Sequence, residues 1–120
     1  MVAMIRRGEI WVARLNPNRG HEIGKARPVL VLQEDRLLDS GLSTVISLPL
    51  TTQFRPSFGP LRIRIAPRDR LLRECYVAIE QIRALDRSRF SEGPLAVATP
   101  AELREIEKSL QTVLGLDQVE

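Results

Sequence analysis

The chain has 120 residues, of which 43% are hydrophobic and 28% charged, and its net charge is +3. This size and composition predict one folded domain, residues 1–120, that buries a core without the help of disulfides or metal. One cysteine and one histidine exclude an intramolecular disulfide and structural zinc or iron–sulfur sites, and no apolar run is long enough for a membrane span, so we expect a cytoplasmic protein without metal or cofactor.

Positive charge is concentrated before residue 99. Residues 1–98 contain 16 Lys and Arg against 10 Asp and Glu, whereas residues 99–120 contain 2 against 5. A basic body of this kind indicates a polyanionic or acidic partner. Arginine makes up 16 of the 18 basic residues, which suits phosphate binding, although a GC-rich genome would produce the same bias.

Short apolar runs rich in β-branched residues predict about five strands in the first part of the chain. They are separated by turn-forming Asn, Pro and Gly residues, and a segment with two prolines and a glycine, residues 53–60, is expected to be a mobile loop. The predicted strands are residues 9–15, 28–32, 43–51, 61–65 and 75–82, with a short helical turn at 35–40 and a polar turn at 86–89.

A helix is predicted near the C-terminus because Thr99, Pro100 and Glu102 combine an N-cap, a proline in the first turn and a capping-box glutamate. Gly115 is a candidate C-terminal cap. One apolar stripe, expected to lie in the core, follows at helical spacing: Leu103, Ile106, Leu110, Val113 and Leu114. Many short strands before one helix favour an α+β, mainly β domain, a small half-open antiparallel barrel with a C-terminal helix.

Residues 20–25 superficially suggest a phosphate-binding P-loop. They have three residues between the glycines where that motif needs four, and a strand rather than a helix follows, so a nucleoside-triphosphate site is excluded. A flexible cationic loop fits better, in which Lys25 and Arg27 face one anion.

Several motifs in a fixed order resemble the MazF/PemK (Kid) family of toxins. They are RGEIW at residues 7–11, NP at 16–17, GHEIGKARPVLV at 20–31, TVISLPLT at 44–51, EQIRALD at 80–86 and the capped C-terminal helix. The resemblance covers roughly residues 6–116, and the shared order makes it more specific than any single motif.

The resemblance implies a sequence-specific, metal-independent endoribonuclease that cleaves single-stranded mRNA. Cleavage by 2′-hydroxyl attack on the adjacent phosphate would leave 2′,3′-cyclic phosphate and 5′-hydroxyl ends and would inhibit translation and growth. The implied fold is an SH3-like barrel of the PemK/CcdB type with a terminal helix. The implied partners are RNA, a second copy in a homodimer, and a cognate MazE-like antitoxin that competes with RNA for overlapping grooves.

The family's catalytic arginine and threonine fall at Arg27 and Thr51. A fixed guanidinium at Arg27 would stabilise charge that develops on the phosphoryl oxygens, and the Thr51 hydroxyl would orient the phosphate for in-line attack. Thr52, one position away, remains an alternative. In the Kid branch an arginine and an aspartate assist catalysis, but Ala78 and Glu80 stand at those positions here, so that branch's acid–base assignment does not transfer.

Other polar residues near these motifs are candidates for supporting roles. His21 is the one histidine of the chain and for that reason a candidate helper, but a loop histidine is more often merely solvated. Possible catalytic or RNA-positioning residues are His21, Glu22, Lys25, Thr52, Glu80 and Arg83, and the expected RNA-binding residues are Asn18, Arg19, Gln53 and Arg55.

Several further residues have structural interpretations. Trp11 and Cys75 lie in apolar strands and are expected to be structural, without a base-stacking or redox role. The remaining arginines form either an RNA-backbone surface or simply a solvated face: Arg62, Arg64, Arg68, Arg70 and Arg73.

Two other functions stay open. A CcdB-like DNA gyrase poison would share the barrel, although residues 116–120 lack the hydrophobic C-terminal end on which such toxins depend. A catalytically decayed toxin that only binds antitoxin or RNA is the other alternative, because Ala78 replaces the Kid-branch arginine.

Overall fold

The computed structural model describes residues 4–118 and consists mainly of antiparallel β-structure. Residues 4–118 contain two α-helices, α1 (Asp35–Asp39) and α2 (Pro100–Val113), together with 3-10 turns at Pro56–Leu61, Ile79–Gln81 and Arg87–Arg89. The strands are β1 (Glu9–Arg14), β2 (Ala26–Val31), β3 (Thr44–Thr51), β4 (Arg62–Ile65), β5 (Cys75–Ala78), β6 (Arg83–Asp86) and β7 (Phe90–Val97).

The eight-residue strand β3 organises the sheet. The strand order is β4-β5-β3-β2-β1-β7, and β6 pairs with the first half of β3 while β5 pairs with its end. Within residues 4–118, β4 and β7 do not pair with each other, so the curved sheet stays open on one side. The prediction of a mainly β, antiparallel, half-open barrel with a C-terminal helix is therefore confirmed.

Both faces of the central strands are buried, which explains the continuous apolar run in β2. Leu30 faces one core cluster, in which strand residues pack with Ile106 and Leu110 of α2. Val29 and Val31 face a second cluster that includes Trp11 and Leu38 of α1. Trp11 is buried with its indole N–H donating to Glu9, and Cys75 is also buried, which agrees with their expected structural roles.

Helix α2 begins with the predicted capping box, in which Thr99 and Glu102 each accept a hydrogen bond from the other's backbone N–H. Its end also matches the prediction. Gly115 adopts φ +71°, and its N–H donates to the Thr112 carbonyl. The Leu116 N–H donates to the Gln111 carbonyl, which completes the pattern of a Schellman motif.

The apolar stripe of α2 is buried for only part of its length. Ile106 and Leu110 are buried and Leu103 is half-buried, but Val113 and Leu114 are 37% and 54% exposed. The expectation that the whole stripe lies in the core was wrong, because the end of α2 extends past the sheet and Leu114 is already the C-cap residue.

The sequence underestimated the number of strands. The strand predicted at 75–82 ends at Ala78, where a 3-10 turn begins, and β6 and β7 were not predicted. Strand β6 is only four residues long, and β7 contains Gly93 and Pro94, which disfavour regular strands. Pro94 is tolerated because β7 is an edge strand. No helix among the described residues is long and apolar enough to cross a lipid bilayer.

Candidate functional site

A cavity of about 230 Å³ opens where β3 ends, and we call it the Thr51 cavity. Its walls come from the β1–β2 loop, the end of β3, the following loop, the start of β4 and the 3-10 turn after β5. It brings together six residues that the sequence singled out and three that it did not. The lining residues are His21, Ile23, Thr51, Gln53, Arg55, Phe58, Arg62, Glu80 and Gln81.

Thr51 is the last residue of β3, and it is half-buried. Its Oγ1 accepts a hydrogen bond from the Gln53 N–H at 3.1 Å, a local turn that directs the chain out of the sheet. Because the hydroxyl acts as acceptor in this bond, its own proton is free to be donated to a ligand in the cavity.

Arg27 lies at the same end of the β2–β3 pair as Thr51. The last ladder pair between these strands joins Val29 to Pro49, and Arg27 and Thr51 are each two residues beyond it. Arg27 is half-buried, and its Nε donates to the Gly24 carbonyl at 3.3 Å.

The side chains of the predicted pair line different cavities. Arg27 lines a second cavity of about 360 Å³, the Arg27 cavity, together with Thr52 and an apolar wall. Arg70 and Arg73 complete the basic rim of this cavity. The fold thus brings Arg27 and Thr51 to one strand end, but it places Thr52, not Thr51, beside Arg27.

The β1–β2 loop, which the sequence suggested is flexible, is held by specific hydrogen bonds. Asn16 accepts from the Lys25 N–H at 2.9 Å, and Glu22 accepts from the Arg19 N–H at 2.6 Å. A Cβ atom on Gly24 would lie 2.3 Å from the Asn18 side chain, so the loop packs closely enough to require glycine there.

Gln81 joins this loop to the turn after β5. Its Oε1 accepts from the Ile23 N–H at 2.7 Å, and its Nε2 donates to the His21 carbonyl at 3.2 Å. These two bonds set the position of His21 at the cavity mouth. Sequence reasoning missed Gln81, and its only signal was its place inside the EQIRALD motif.

The other predicted helpers lie outside both cavities. Glu22, Asn18 and Arg19 are exposed, and the Glu22 and Asn18 side chains form hydrogen bonds within their own loop. Lys25 lines a separate surface cavity with Arg14 and Arg89. Arg83 sits on β6 opposite Ser47. Among the described residues, no three His, Cys, Asp or Glu side chains come together as ligands for a metal ion.

The lining of the Thr51 cavity contains an ion pair that the sequence did not indicate. The Arg62 guanidinium donates to both oxygens of Glu80, at 2.5 and 3.1 Å, and lies 4.9 Å from the centre of the Phe58 ring. Partial burial raises the pKa of Glu80. The hydrogen bonds to its carboxylate and the positive charge of Arg62 lower the pKa by more than burial raises it, so the pKa lies below its ordinary value. Glu80 is therefore ionised at neutral pH.

Most of the other arginines in this region are also paired with carboxylates. Arg64 pairs with Glu74 and Arg70 with Glu92, and Arg68 forms a two-bond pair with Glu102 of α2. Pairing of this kind reduces the positive potential that a polyanion would meet. It favours the solvated-face interpretation over an RNA-backbone surface for these side chains.

The family of PemK-like, MazF-like toxins of type II toxin–antitoxin systems matches residues 6–114. The chain belongs to this family. Among solved structures similar to this PemK/MazF-family chain is MazF from Deinococcus radiodurans, with 26% identity, coverage of 94% of this chain and 98% of the other, and a TM-score of 0.79.

Similar structures also include complexes with an antitoxin. One is an endoribonuclease from a mycobacterial species in complex with its cognate antitoxin, with 25% identity, coverage of 96% and 99%, and a TM-score of 0.75. Another is a MazE–MazF complex from Deinococcus radiodurans, with 25% identity, the same coverage and a TM-score of 0.76.

Of Ala78 and Glu80, the two positions at which the sequence resemblance implied a difference from the Kid branch of the PemK/MazF family, only Glu80 lines the Thr51 cavity. Ala78 is completely buried on β5 and pairs in register with Arg62 of β4. Glu80 is held by Arg62. An arginine therefore reaches the cavity from the neighbouring strand.

Proposed function

We propose that the chain is a metal-independent endoribonuclease toxin that cleaves single-stranded mRNA at a specific sequence and is neutralised by a cognate antitoxin. One observation carries this proposal: in a PemK/MazF-family fold, the end of β3 presents the Thr51 hydroxyl in a cavity lined by basic side chains, with Arg27 at the same strand end. These are the groups that a phosphodiester undergoing transesterification requires.

The proposed reaction needs no water and no metal-activated nucleophile. The 2′-oxygen forms a bond to phosphorus as the bond from phosphorus to the 5′-oxygen breaks. The proton lost by the 2′-hydroxyl is balanced by one gained by the 5′-oxygen, so the products are a 2′,3′-cyclic phosphate and a 5′-hydroxyl end. Charge builds on the two phosphoryl oxygens in the transition state, where fixed donors stabilise it.

Thr51 and Arg27 would share this task. Thr51, whose Oγ1 accepts from the Gln53 N–H, would donate a hydrogen bond to one phosphoryl oxygen, and Arg27 would bind the same phosphate from the neighbouring cavity at this strand end. His21 and Arg55, at the cavity mouth, would contact the flanking nucleotides, together with Gln53. Their exposure suits the recognition of unstacked bases in single-stranded RNA.

Partners follow from the antitoxin complexes of similar proteins and from the charge of the chain. The apolar wall of the Arg27 cavity, with Leu72 83% exposed beside Arg70 and Arg73, suits a segment that carries both apolar and acidic side chains. We infer that a MazE-like antitoxin covers this surface, that the protein acts as a homodimer, and that it works in the cytoplasm, where mRNA is found.

The test is incubation of end-labelled, mixed-sequence single-stranded RNA with the purified protein in EDTA, followed by mapping of the fragment ends. Wild type is compared with Arg27→Ala and Thr51→Ala, and folding and dimerisation of each variant are checked separately. We expect discrete cuts with cyclic phosphate ends from wild type and a loss of about 100-fold or more in each variant.

Undiminished cleavage by Arg27→Ala would remove that residue from the active site. No cleavage by folded wild type on varied RNAs would favour the gyrase-poison or decayed-toxin interpretation, and a DNA supercoiling assay with purified gyrase would then separate those two.

A further inference from the structure

The guanidinium of Arg62 is held on one edge only. Its terminal nitrogens donate to Glu80, and Nη1 also donates to the Leu61 carbonyl at 3.1 Å. Among residues 4–118, Nε has no acceptor, and Nη2 uses one of its two N–H groups. Nε and Nη2 form a second fork of the guanidinium, with the spacing that suits two oxygens of one phosphate.

This free edge is held in place by its surroundings. The side chain is only 8% exposed, rests against the Phe58 ring, and faces the small Ala78 in the ladder between β4 and β5. A guanidinium fixed in this way loses little rotamer entropy when it binds an anion, and partial exclusion of water strengthens its interaction with charge.

The position of Arg62 connects it to the chemistry. Arg62 and Thr51 line the same cavity, whereas Arg27 lines the neighbouring one. A phosphate that accepts a hydrogen bond from the Thr51 hydroxyl in this cavity therefore has Arg62 as a cationic neighbour in the same cavity. Glu80 orients the guanidinium from the far edge and offers no proton of its own at neutral pH.

We propose that Arg62 is a further catalytic residue, whose Nε–Nη2 edge binds the phosphoryl oxygens of the scissile phosphate, and that Glu80 is a positioning residue for it. This inference rests on the proposed endoribonuclease function and adds no chemical step to it. Arg62 stabilises the charge that develops as the 2′-oxygen attacks, so its contribution is to kcat more than to KM.

The experiment compares wild type with Arg62→Gln, Arg62→Lys and Glu80→Gln in single-turnover and steady-state cleavage of the mapped RNA sequence. Arg64→Gln is the matched control, because Arg64 lies two residues along the same strand and also pairs with a glutamate, but its side chain is far more exposed and does not line the Thr51 cavity. We expect Arg62→Gln to lower kcat about 100-fold. Arg62→Lys should lower it about 10-fold, since lysine keeps the charge but lacks the fork.

Glu80→Gln distinguishes positioning from simple structural support. Loss of orientation should lower its kcat by about 10-fold, while removal of a negative charge near the phosphate leaves KM unchanged or lower. A rise in KM with kcat unchanged in this variant would overturn the positioning role.

A binding measurement provides a second readout. The probe is the same oligonucleotide with a single 2′-deoxyribose at the cleaved position, which cannot react. In Arg62→Gln, loss of one phosphate contact should reduce the magnitude of the slope of the logarithm of the RNA-binding constant against the logarithm of the salt concentration by about 0.7. The slope should not change in Arg64→Gln. Thermal unfolding of each variant confirms that it is folded.

The outcomes distinguish failure of the role proposed for Arg62 from failure of the endoribonuclease function. Wild-type kcat and salt slope in folded Arg62→Gln overturn the role of Arg62 and leave the endoribonuclease function standing. If that variant does not fold, wild-type kcat in Arg62→Lys overturns the role instead. Absence of RNA cleavage by wild type overturns the proposed function and this inference with it.

Discussion

Thr51 and Thr52 show how one position along a strand decides what a side chain can do. Successive residues of an extended chain point to opposite sides. Thr51 lines the cavity that contains Arg62 and Glu80, whereas Thr52 is exposed and lines the neighbouring cavity with Arg27. The sequence favoured Thr51 and left Thr52 as an alternative, and the structure separates the environments of the two hydroxyls.

We predict that Thr51→Val lowers kcat for RNA cleavage about 100-fold, because valine keeps the shape of threonine and removes the hydroxyl donor. The matched variant Thr52→Val should stay within about threefold of wild type, because Thr52 lies outside the Thr51 cavity. Rates on the mapped RNA sequence measure both variants. A large loss of kcat in Thr52→Val, together with wild-type kcat in Thr51→Val, would place the active site in the Arg27 cavity instead.

The β1–β2 loop and the turn after β5 form one structural unit through Gln81. Neither element holds its shape through regular backbone ladders, and the two Gln81 hydrogen bonds link segments that are about 60 residues apart. The order of the cavity mouth therefore depends on a side chain far along the chain from His21.

We predict that Gln81→Leu leaves the core folded but loosens the loop. Amides in residues 16–25 should exchange with solvent about 10-fold faster, because the Ile23 N–H loses its acceptor. Hydrogen exchange followed by mass spectrometry measures this effect, and Gln111→Leu on the exposed side of α2 is the control. Unchanged exchange across the loop would show that its other hydrogen bonds suffice.

The whole molecule gains part of its stability from the junction of the barrel with α2. Arg68, between β4 and β5, donates two hydrogen bonds to Glu102 at the start of the helix. Burial raises the pKa of Glu102, but the hydrogen bonds from Arg68 and from the Thr99 backbone lower it more, so its pKa in the folded protein lies below the ordinary value. The unfolded chain then binds a proton more readily, and acid favours unfolding.

We predict that Glu102→Gln destabilises the protein by about 1–2 kcal/mol at pH 7, because glutamine can still cap the helix but loses the charge that Arg68 faces. The difference in free energy of unfolding between the variant and wild type should shrink as the pH falls below about 4.3, where the Glu102 carboxyl of the unfolded chain becomes protonated. Thermal unfolding from pH 7 to pH 3 measures it, with the exposed Glu105→Gln as control. A difference independent of pH would show that the charge is not responsible.

Sequence patterns predicted the elements whose signals are local. The capping box and Gly115 defined α2, and apolar runs defined the strands that pack on both faces, because these preferences act between near neighbours. Strands β6 and β7 were missed because their residues are poor strand formers and pair only where β3 and β1 provide partners. The Arg27, Thr51 and Glu80 assignments came from ordered motifs and remain predictions to be tested.

The sequence alone established the mainly β class with its terminal helix, the family resemblance and the strand ends at which Arg27 and Thr51 lie. Tertiary structure decided which side chains share a cavity. The alternating pattern of β4 suggested that Arg62 lies on a solvated face, and only the fold of the sheet and the turn after β5 bring it to Glu80 and into the cavity that Thr51 lines. Such contacts join residues distant in the chain, and packing of the whole fold, not local preference, selects them.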